Sequence, residues 1–541
     1  MNFAVLLVIS GLILVIAYFT YGKYVENTLG VNPNLSTPAH TMGDGVDYVP
    51  AKPAVLLGHH FATIAGAGPI VGPITAAVFG WVPAVLWIII GGIFVGGVHD
   101  YSSLVASVRH KGKSIGQIIK NNIGKRGQLL FLIFAWATLI LVVAVFTILV
   151  ANTFAATPET ATASILLLIL AIIFGVAVYR FNVPLIPATI FGVILLFVSI
   201  AIGISFPLAL SATTWVYILI GYAFIASVTP VWVLLQPRDY LNSFLLYAVL
   251  GGAFVGIIVG QPDIAFPAYI GFKTNLGYLF PILFVTIACG AISGFHSLVS
   301  SGTTSKQLSN EKDAKIIGYG GMLIESFLAI IAIGTVAVLS QQGYTSNLSD
   351  YGGPVGLFGA GVGSFMSYFG IPIALGTTFA TLAVSAFLLT SLDSATRLAR
   401  YTFQEFTEER MPALNNTFLA TGVSLVFAAA LALSGQWSTI WPIFGSANQL
   451  LAGLALLGVS VWLGKLGKSN KMTLIPMVFM IIVTLAALIN VMSANLFGAK
   501  PNYILGIAAV FLFILAILLV LESWKSLFGS SKNQPPISSD M

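Results

Sequence analysis

The chain has 541 residues, of which 58% are hydrophobic and only 7% charged, with a formal net charge of +6. A soluble domain carries about 25% charged residues, so this composition excludes a water-exposed globular fold and predicts an all-α polytopic membrane protein. The basic residues are spread over short loops, which is typical of the positive-inside rule and not of nucleic-acid binding. The single cysteine, Cys289, excludes an intrachain disulfide.

The N-terminal part is predicted to be one transmembrane helix followed by a loop. Residues 1–22 are apolar and lack a basic leader and a small-residue cleavage site, so we expect a retained helix and not a signal peptide. Residues 23–52 have mixed charge and are predicted to form a cytoplasmic loop. Because one span needs about 20 residues, the whole chain has room for about fifteen spans.

Residues 53–206 are predicted to form a first repeat of five spans, and the first span carries helix-breaking residues near its middle. Gly66, Ala67, Gly68 and Pro69 occupy that position. Lipid cannot hydrogen-bond the backbone groups that a break frees, so a broken helix survives where it faces a protein-lined cavity. A break of this kind is typical of a transporter binding site.

Residues 214–390 are predicted to form a second repeat of five spans, again opening on a broken helix, with the break at Thr229 and Pro230. Because each repeat has an odd number of spans, the second is inverted relative to the first. The pattern predicts an inverted-repeat core of five plus five helices, of the LeuT/APC type, with one helix before it and about four after it. The two breaks would direct main-chain dipoles into a shared cavity.

The rest of the chain is predicted to be a cytoplasmic loop at 391–415, transmembrane helices at 416–525 and a short polar cytoplasmic tail at 526–541. Lys and Arg fall mainly on alternate loops, which places the N-terminus outside and the C-terminus in the cytoplasm. The alternative is a re-entrant hairpin at the first break, which would flip the first helix.

The sequence offers one set of residues for a substrate or ion pathway. Five polar residues between Ser293 and Thr304 recur at three- and four-residue spacing, so that on a helix they share one face. This face is either a polar wall of the cavity or a hydroxyl stripe for close helix packing. With both breaks and the tryptophan after the second, the predicted pathway comprises Gly66, Ala67, Gly68, Pro69, Thr229, Pro230, Trp232, Ser293, His296, Ser297, Ser300 and Thr304.

A second set of residues is ionisable and lies in or beside spans, where charge is costly. We expect Glu325, well inside its span, to be a proton-coupling site, with a structural acid as the alternative. Asp393 and Arg397 are spaced for an i, i+4 helix pair and are expected to form a gate or latch. An imidazole can also change charge during a transport cycle. The proton-coupling or gate candidates are His59, His60, His99, Asp100, Glu325, Asp393 and Arg397.

Two further observations bear on the site. Each break exposes a helix N-terminus, whose partial positive charge suits a carboxylate, so the pattern favours an anionic or zwitterionic solute. Trp441, Asn448 and Gln449 lie in a later span outside the predicted core, which weakens their claim to the site.

Several of these segments resemble the carbon starvation protein A (CstA) family. The similar stretches are Gly58–Pro73, Val98–Tyr101, Pro230–Asn242, Cys289–Thr304, Gly318–Glu325 and Pro442–Gln449. The resemblance implies a cytoplasmic-membrane transporter related to the inverted-repeat fold of amino acid and neurotransmitter transporters. It also implies peptide uptake during nutrient limitation, with pyruvate transport, thought to be proton-coupled, in some relatives.

We therefore expect a secondary active transporter that imports peptides during carbon starvation by alternating access, coupled to protons. A symporter of pyruvate or another small carboxylate, driven by protons or sodium, is the alternative. A channel and an intramembrane hydrolase using Ser293 or Ser297 with His296 are further hypotheses, although the hydrolase lacks a third, orienting group. No catalytic residue, metal or cofactor is expected beyond the coupling ion, H+ or Na+. The expected partners are the lipid bilayer and the solute, without nucleic acid.

Overall fold

The structure is a computed structural model that describes residues 2–44, 48–230, 233–408, 411–435, 437–498 and 501–528. Its first half contains the helices α1 (Phe3–Phe19), α2 (Tyr21–Leu29), α3 (Pro38–Thr41), α4 (Pro53–Ile64), α5 (Gly68–Ala76), α6 (Trp81–Gly91), α7 (Gly97–Arg109), α8 (Ile115–Asn122), α9 (Lys125–Ala156), α10 (Pro158–Tyr179), α11 (Leu185–Ser205), α12 (Ala212–Val228) and α13 (Leu235–Gly260). Its second half contains an antiparallel hairpin, β1 (Lys273–Thr274) and β2 (Gly277–Tyr278), and the helices α14 (Leu279–Thr286), α15 (Gly294–Val299), α16 (Ser305–Gln307), α17 (Gly321–Ala337), α18 (Gln341–Asp350), α19 (Pro354–Ser367), α20 (Ile373–Thr407), α21 (Thr417–Ser434), α22 (Trp437–Lys465), α23 (Lys471–Phe497) and α24 (Tyr503–Phe528).

Within the described residues, 12 helical stretches are long and apolar enough to span a membrane, and the bent pair α4–α5 makes 13. The shorter apolar helix α12 and the divided pair α14–α15 bring the number to the fifteen spans expected from composition. The chain is therefore an all-α, multi-pass membrane protein, as the sequence predicts.

Helix ends coincide with local sequence signals. Helices α4, α10 and α19 begin with a proline in the first turn, where its missing N–H and fixed φ do no harm. Ser211 and Ser340 cap α12 and α18 with side-chain oxygens that accept backbone N–H groups. The apolar runs between such signals become helices that are either buried or turned toward lipid.

The buried centre of the fold consists of α9, α20 and α22. Helix α9 packs along α20, and α22 packs against both α9 and α23. In α22, 94% of the most apolar window is buried, whereas the corresponding share in α11 is 22%. Helix α11 therefore lies at the periphery, where Ile186, Phe191 and Phe197 are exposed, as lipid-facing side chains would be.

Two spans of the described chain are discontinuous. In the first, α4 and α5 meet at a bend of 45° across residues 65–67, in agreement with the predicted break at Gly66 to Pro69. In the second, α14 and α15 are separated by residues 287–293. That segment was predicted to be continuous helix.

The prediction of a second broken helix at Thr229 and Pro230 is wrong. Helix α12 ends at Val228, and α13 is a separate helix of 26 residues that begins at Leu235. Proline disfavours the helical conformation of the residue before it, and Thr229 is extended, with ψ of 141°. Pro230 thus ends one span and does not interrupt it.

The position of the second discontinuous span changes how the core divides into repeats. A five-span unit that opens on a broken helix runs from α14–α15 through α17, α20 and α21 to α22. The matching first unit runs from α4–α5 through α6–α7, α9 and α12 to α13, with α10 and α11 as an inserted hairpin. The contacts agree, because α13 packs on α4 and α22 packs on α15. The boundaries predicted at 53–206 and 214–390 do not follow these units, although four helices do follow residue 416.

One end of the molecule gathers basic loops, and we call it the basic end. Arg109 Nη2 donates to Glu311 Oε2 at 2.8 Å, and Lys468 Nζ donates to Leu29 O at 2.6 Å. The segment at 23–52 packs on this end, where its Tyr48 hydroxyl donates to a backbone carbonyl at 3.1 Å. The first residue of α1 is at the opposite end and donates its N–H to the carbonyl oxygen of residue 262.

Candidate functional site

The first break is held by side chains of two other helices. Ser391 Oγ of α20 donates to Thr63 O, in the last turn of α4, at 3.1 Å. Beyond the break, the Tyr344 hydroxyl of α18 donates to Ile74 O of α5 at 3.0 Å. Burial raises the pKa of Tyr344 to about 12, so this hydroxyl keeps its proton. Protein groups therefore satisfy carbonyls on both sides of the break, as a membrane interior requires.

The second break is held by three side chains of α22. Gln449 Nε2 donates to two carbonyl oxygens at the end of α14, at 2.6 and 2.9 Å, and Trp441 Nε1 donates to a third at 3.2 Å. On the other side, Asn448 Oδ1 accepts the N–H of Phe295, in the first turn of α15, at 2.9 Å. These three residues, which were placed outside the predicted core, therefore cap both ends of the break.

The two breaks lie against each other. A Cβ atom on Gly68 would lie 2.3 Å from Cys289 Sγ, and one on Gly72 would lie 2.7 Å from Thr286 O. Only glycine lets two half-helices approach so closely. Toward the basic end, His60 Nδ1 and Thr304 Oγ1 lie 2.9 Å apart and join the first discontinuous span to the second.

A group of buried ionisable side chains lies beside this contact, and we call it the deep cluster. Asp100 accepts Nδ1–H groups from two imidazoles, that of His99 at 2.7 Å and that of His296 at 2.8 Å. The other ring nitrogen of His296 faces Glu325 Oε2 at 3.4 Å. The members of the deep cluster are His99, Asp100, Cys289, His296 and Glu325, all buried.

Each helix that contributes to the deep cluster carries a π-helical turn near it. These turns lie at 92–96, before α7, at 300–304, after α15, and at 315–320, before α17. An extra residue per turn shifts the side chains that follow, and π-turns are frequent at functional sites. Four predicted candidates from three different spans, His99, Asp100, His296 and Glu325, thus meet in the deep cluster.

A second group of charges, the cavity-side network, joins α4, α12, α13 and α20. Arg238 pairs with Asp393 of α20 and, at 3.1 Å, with its neighbour Asp239. The Tyr222 hydroxyl of α12 donates to Asp393 Oδ2 at 2.6 Å. His59 Nδ1 of α4 lies 3.5 Å from Asp239 Oδ2, and its side chain is 16% exposed. The network thus links the first broken helix to three helices around it.

Arg397 does not form the predicted helix pair with Asp393. Its Nη2 donates to the carbonyl oxygens of Ala226 and Thr229 at 2.9 and 2.6 Å, at the end of α12. A cation is favourable there because the C-terminus of a helix carries partial negative charge. Arg238 takes the place predicted for Arg397 as the partner of Asp393.

A cavity of about 50 Å³ lies toward the basic end, between the two discontinuous spans, α13 and α20. It has room for a few water molecules. Two of the predicted candidates, His59 and Arg397, line it. Its walls are formed by Val49, His59, Thr63, Leu235, Val299, Gly302, Thr303, Lys306, Gln307, Ser394, Arg397, Leu398 and Tyr401.

The predicted polar face between Ser293 and Thr304 is not one wall of this cavity. Ser293 lies in the break and accepts a hydrogen bond of 3.0 Å from Asn448 Nδ2. Ser297 Oγ donates to a carbonyl of its own helix, and Ser300 is buried without lining the cavity. The break and the π-turn at 300–304 destroy the regular helical spacing on which the prediction depended.

Two further predicted pathway residues, Thr229 and Pro230, directly follow α12 and do not line the cavity, although the Thr229 carbonyl oxygen accepts from Arg397 Nη2. Trp232 lies outside the described residues. Arg238, Asp239 and Lys306 were not proposed from the sequence. An arginine and an aspartate near the start of an apolar span are by themselves a functional signal, and that signal would have found the network.

The geometry gives no support to the serine hydrolase hypothesis. Both ring nitrogens of His296 face carboxylates, at 2.8 and 3.4 Å. Neither Ser293 nor Ser297 has a hydrogen bond to this imidazole among the described contacts. A serine nucleophile needs its base within hydrogen-bond reach.

Comparisons with known proteins identify the family of this chain. The sequence profile described as "Carbon starvation protein CstA" matches residues 2–352 and 345–487. The "Peptide transporter CstA" of Campylobacter jejuni is 35% identical, with 89% of this chain and 79% of the relative covered. The "Peptide transporter CstA" of Bacillus subtilis is 32% identical, with 97% of both chains covered. The "Pyruvate/proton symporter BtsT" of Escherichia coli is 33% identical, with 92% of this chain and 82% of the relative covered.

Among solved structures, a manganese transporter from Eremococcus coleocola in complex with an aromatic bis-isothiourea substituted compound resembles this chain. The TM-score is 0.50 at 14% sequence identity, with 92% of this chain and 98% of that chain covered. At this identity the likeness concerns the fold alone. It agrees with the multi-pass helical fold described above.

Proposed function

Because this chain belongs to the carbon starvation protein CstA family, we propose that it is a secondary active transporter that imports peptides by alternating access, coupled to protons. The peptide as substrate is supported by relatives of 32–35% identity that are named peptide transporters. Import during carbon starvation follows from the family description. Its setting is the lipid bilayer of the cytoplasmic membrane.

The observation that carries the proposal is the contact between the two breaks beside the cavity. Each break is capped by a different helix, the first by α20 and the second by α22. The half-helices therefore have separate supports, and at the breaks they approach each other closely at glycine residues. Discontinuous helices that meet near the middle of a membrane protein form the substrate site of many secondary transporters.

The cavity favours a solute with a carboxylate. Lys306 and Arg397 line it, and the Nε atom of Arg397 is buried without a hydrogen-bond partner. Thr303 lies in the same wall, where its hydroxyl donates to the carbonyl oxygen of Val299 at 2.9 Å. A carboxylate that accepts from Lys306 and Arg397 would form charge-assisted hydrogen bonds, which are the strong ones. Peptides and pyruvate share this group.

The small volume indicates that a peptide enters only after the cavity widens. About 50 Å³ holds water but not a dipeptide. His59 and Thr63 of α4 face Arg397 and Leu398 of α20 across the cavity. Movement of α4 away from α20, with the break as the hinge, would open the cavity to the basic end.

The cavity-side network can carry the coupling proton. It places one arginine between two aspartates, Asp239 and Asp393, so it is one positive charge short of neutrality while His59 is uncharged. Unbalanced charge is costly in a dry interior. A proton on His59 balances the network and draws α4 toward α13. Loss of the proton reverses this, which ties protonation to the position of the first broken helix.

The direction of the chain follows from its basic loops. We assign the basic end to the cytoplasm, because short loops rich in Lys and Arg stay on that side. This assignment leaves the N-terminus outside and the C-terminus inside. The cavity then opens to the cytoplasm, where a solute would be released.

The experiment that tests the function is uptake by purified protein in liposomes. We expect a labelled dipeptide to accumulate when a pH gradient, acidic outside, is imposed. Pyruvate is the second candidate, because one relative of 33% identity is a pyruvate/proton symporter. Accumulation of pyruvate without the dipeptide would establish that alternative, and uptake of neither would contradict the proposal.

Because the solute is proposed to bind through its carboxylate, blocking that group should weaken binding. A C-amidated dipeptide should have a KM about 10–100-fold higher than the free acid, since charge-assisted hydrogen bonds contribute about 1.5–3 kcal/mol. Arg397→Gln should raise the KM of the free acid by a similar factor and leave that of the amide unchanged. The measurement is competition of both peptides against labelled free acid.

Lys312→Gln is the matched control, because Lys312 lies at the same end but does not line the cavity. It should leave both KM values unchanged. Equal KM values for acid and amide in the wild-type protein would remove the carboxylate from recognition.

A further inference from the structure

The deep cluster contains the ligand set of a metal site, and we propose that Cys289, His296 and Glu325 bind a divalent transition-metal ion of the zinc class. One sulfur, one nitrogen and one carboxylate oxygen lie within 4.8 Å of one another, and all three residues are buried. No metal was predicted from the sequence, in which Cys289 and Glu325 are 36 positions apart. The break and the bent spans bring them together.

The ligands come from two parts of the fold, the second break with the helix that follows it and α17. Cys289 lies within the second break, and His296 lies in α15 just beyond it. Glu325 belongs to α17, which is also tied to the break because Ser326 Oγ donates to the Gly290 carbonyl at 2.8 Å. An ion at this place would bridge the break and α17.

The orientation of His296 is that of a metal ligand. Its Nδ1–H donates to Asp100 Oδ2 at 2.8 Å, so a neutral imidazole would direct the lone pair of Nε2 at an ion between His296 and Glu325. His99 fixes the other oxygen of Asp100 at 2.7 Å. A carboxylate behind a histidine sets its tautomer and raises its basicity, and this arrangement is general among metal-bound histidines.

Unpartnered atoms and unbalanced charge converge on the same point. Nε2 of His296 and both carboxylate oxygens of Glu325 are buried without a hydrogen-bond partner. In the described part of the chain, Asp100 and Glu325 form ion pairs only with histidines. An ion would give the orphaned atoms a partner and offset the two carboxylate charges, while the Cys289 thiol releases its proton to solution on binding as the thiolate and adds one further negative charge at the ion.

The donor types select the metal. Thiolate, imidazole and carboxylate suit Zn²⁺ and, as a substitute, Co²⁺, whereas Mg²⁺ and Ca²⁺ prefer oxygen ligands alone. Zinc takes tetrahedral sites with bonds of about 2.0–2.3 Å. Three protein ligands would leave the fourth position for water or a solute group.

The effect of a bound metal ion on transport rests on the proposed function, whereas the proposal of the metal site itself does not. Because the ion would fasten the second break to α17, Zn²⁺ should inhibit uptake without competing with the dipeptide for the cavity. A failure of transport and a failure of metal binding are therefore separate results.

The test uses the single thiol of the chain. Full-length protein without a polyhistidine tag, in detergent, is titrated with Co²⁺ and followed by absorption. We expect one equivalent to give a thiolate-to-cobalt charge-transfer band with the intensity of tetrahedral Co²⁺, and Zn²⁺ to displace it. Since Cys289 is the only cysteine, such a band can arise from no other place.

Variants locate the remaining ligands. Cys289→Ser should abolish the band, and Glu325→Gln should weaken Zn²⁺ binding measured by calorimetry. Asp100→Asn should lower the affinity about 10–100-fold, as loss of a carboxylate behind a metal-bound histidine does. His40→Gln, outside the cluster, is the matched control and should bind like the wild type.

A measurement on the wild-type protein tests the site even if the variants fail to fold. Zn²⁺ should protect Cys289 from alkylation by maleimide, with a concentration dependence equal to that of the cobalt band. The proposal is overturned if the wild-type protein gives no charge-transfer band. It is equally overturned if stoichiometric Zn²⁺ binding survives in Cys289→Ser.

Discussion

Arg238→Met is expected to lower the free energy of unfolding by about 3–5 kcal/mol, because it leaves two buried carboxylates without a cation. Arg238 is 1% exposed, and Asp239 and Asp393 are fully buried. Methionine preserves the length and apolar stem of the side chain, so the loss reports charge and hydrogen bonds and not a cavity. The measurement is unfolding of purified protein in mixed micelles of increasing SDS content.

Two further variants separate the effect of charge on stability from the effect of packing. Arg238→Met combined with Asp239→Asn and Asp393→Asn removes all three charges, and we expect its stability to return to within about 1 kcal/mol of the wild type, as with other buried ion networks replaced as a unit. Transport should stay absent, because His59 would no longer face a carboxylate whose charge its proton could balance. Lys23→Ala breaks an exposed ion pair and should cost no more than about 1 kcal/mol. A triple variant as unstable as Arg238→Met would contradict this account.

Gly72→Ala is expected to reduce transport at least about tenfold through a single added methyl group, comparable to the loss that a small displacement of a site produces. Its Cβ would lie 2.7 Å from Thr286 O and 3.1 Å from Ile287 Cα, both backbone atoms of the second discontinuous span. Backbone cannot rotate aside as a side chain can, so the two half-helices must separate. The measurement is initial uptake of labelled dipeptide by protein of verified monodispersity.

The control substitution, Gly251→Ala, is expected to change the stability in the opposite direction. Gly251 lies in α13, and a Cβ atom there would meet nothing within 4 Å. Alanine is a better helix former than glycine by about 1 kcal/mol, so Gly251→Ala should hold or raise stability with unchanged uptake. Gly72→Ala should lose stability despite the same gain in helix propensity. Full activity of Gly72→Ala would show that the breaks do not touch in the working protein.

The membrane class and the first break could be predicted from the sequence because both depend on local chemistry. Apolar runs of membrane length can fold in few ways, and two glycines and a proline within four residues cannot continue a helix. Residues 66–69 carry that signal, and the structure bends there.

The second break could not be predicted because it has no comparable local signal. Residues 287–293 contain no proline and one glycine, Gly290, whose φ of +85° is visible only in the structure. The break is stabilised from α22, about 155 positions later in the chain, by Trp441, Asn448 and Gln449. By contrast, Pro230 is a conspicuous helix breaker that only ends a helix.

The ion-pair partner of Asp393 was also determined by the tertiary structure and not by spacing along the chain. The spacing of Asp393 and Arg397 favours a helix pair, but such pairs contribute only about 0.2–0.5 kcal/mol. Arg238 reaches Asp393 from another helix and gains Tyr222 as a further partner at 2.7 Å. The stronger, buried arrangement prevails, and Arg397 is left to cap α12.

The coupling roles predicted for Glu325, His60, His99 and Asp100 stay predictions. The structure assembles Glu325, His99 and Asp100 in the deep cluster, while His60 joins the two discontinuous spans. Of the histidines near the first break, only His59 lines the cavity and lies beside an unbalanced carboxylate. His59 is therefore favoured as the residue that exchanges the proton, because the cavity gives it access to solution.

Proton movement during uptake tests the central claim most directly. Proteoliposomes that contain a pH-sensitive dye are given a labelled dipeptide, with pH and sodium gradients imposed separately. The wild-type protein should carry protons inward with the dipeptide and accumulate it under the pH gradient alone. His59→Gln should exchange internal for external dipeptide but accumulate none. Accumulation driven by sodium alone, or unchanged proton-driven accumulation in His59→Gln, would contradict the account.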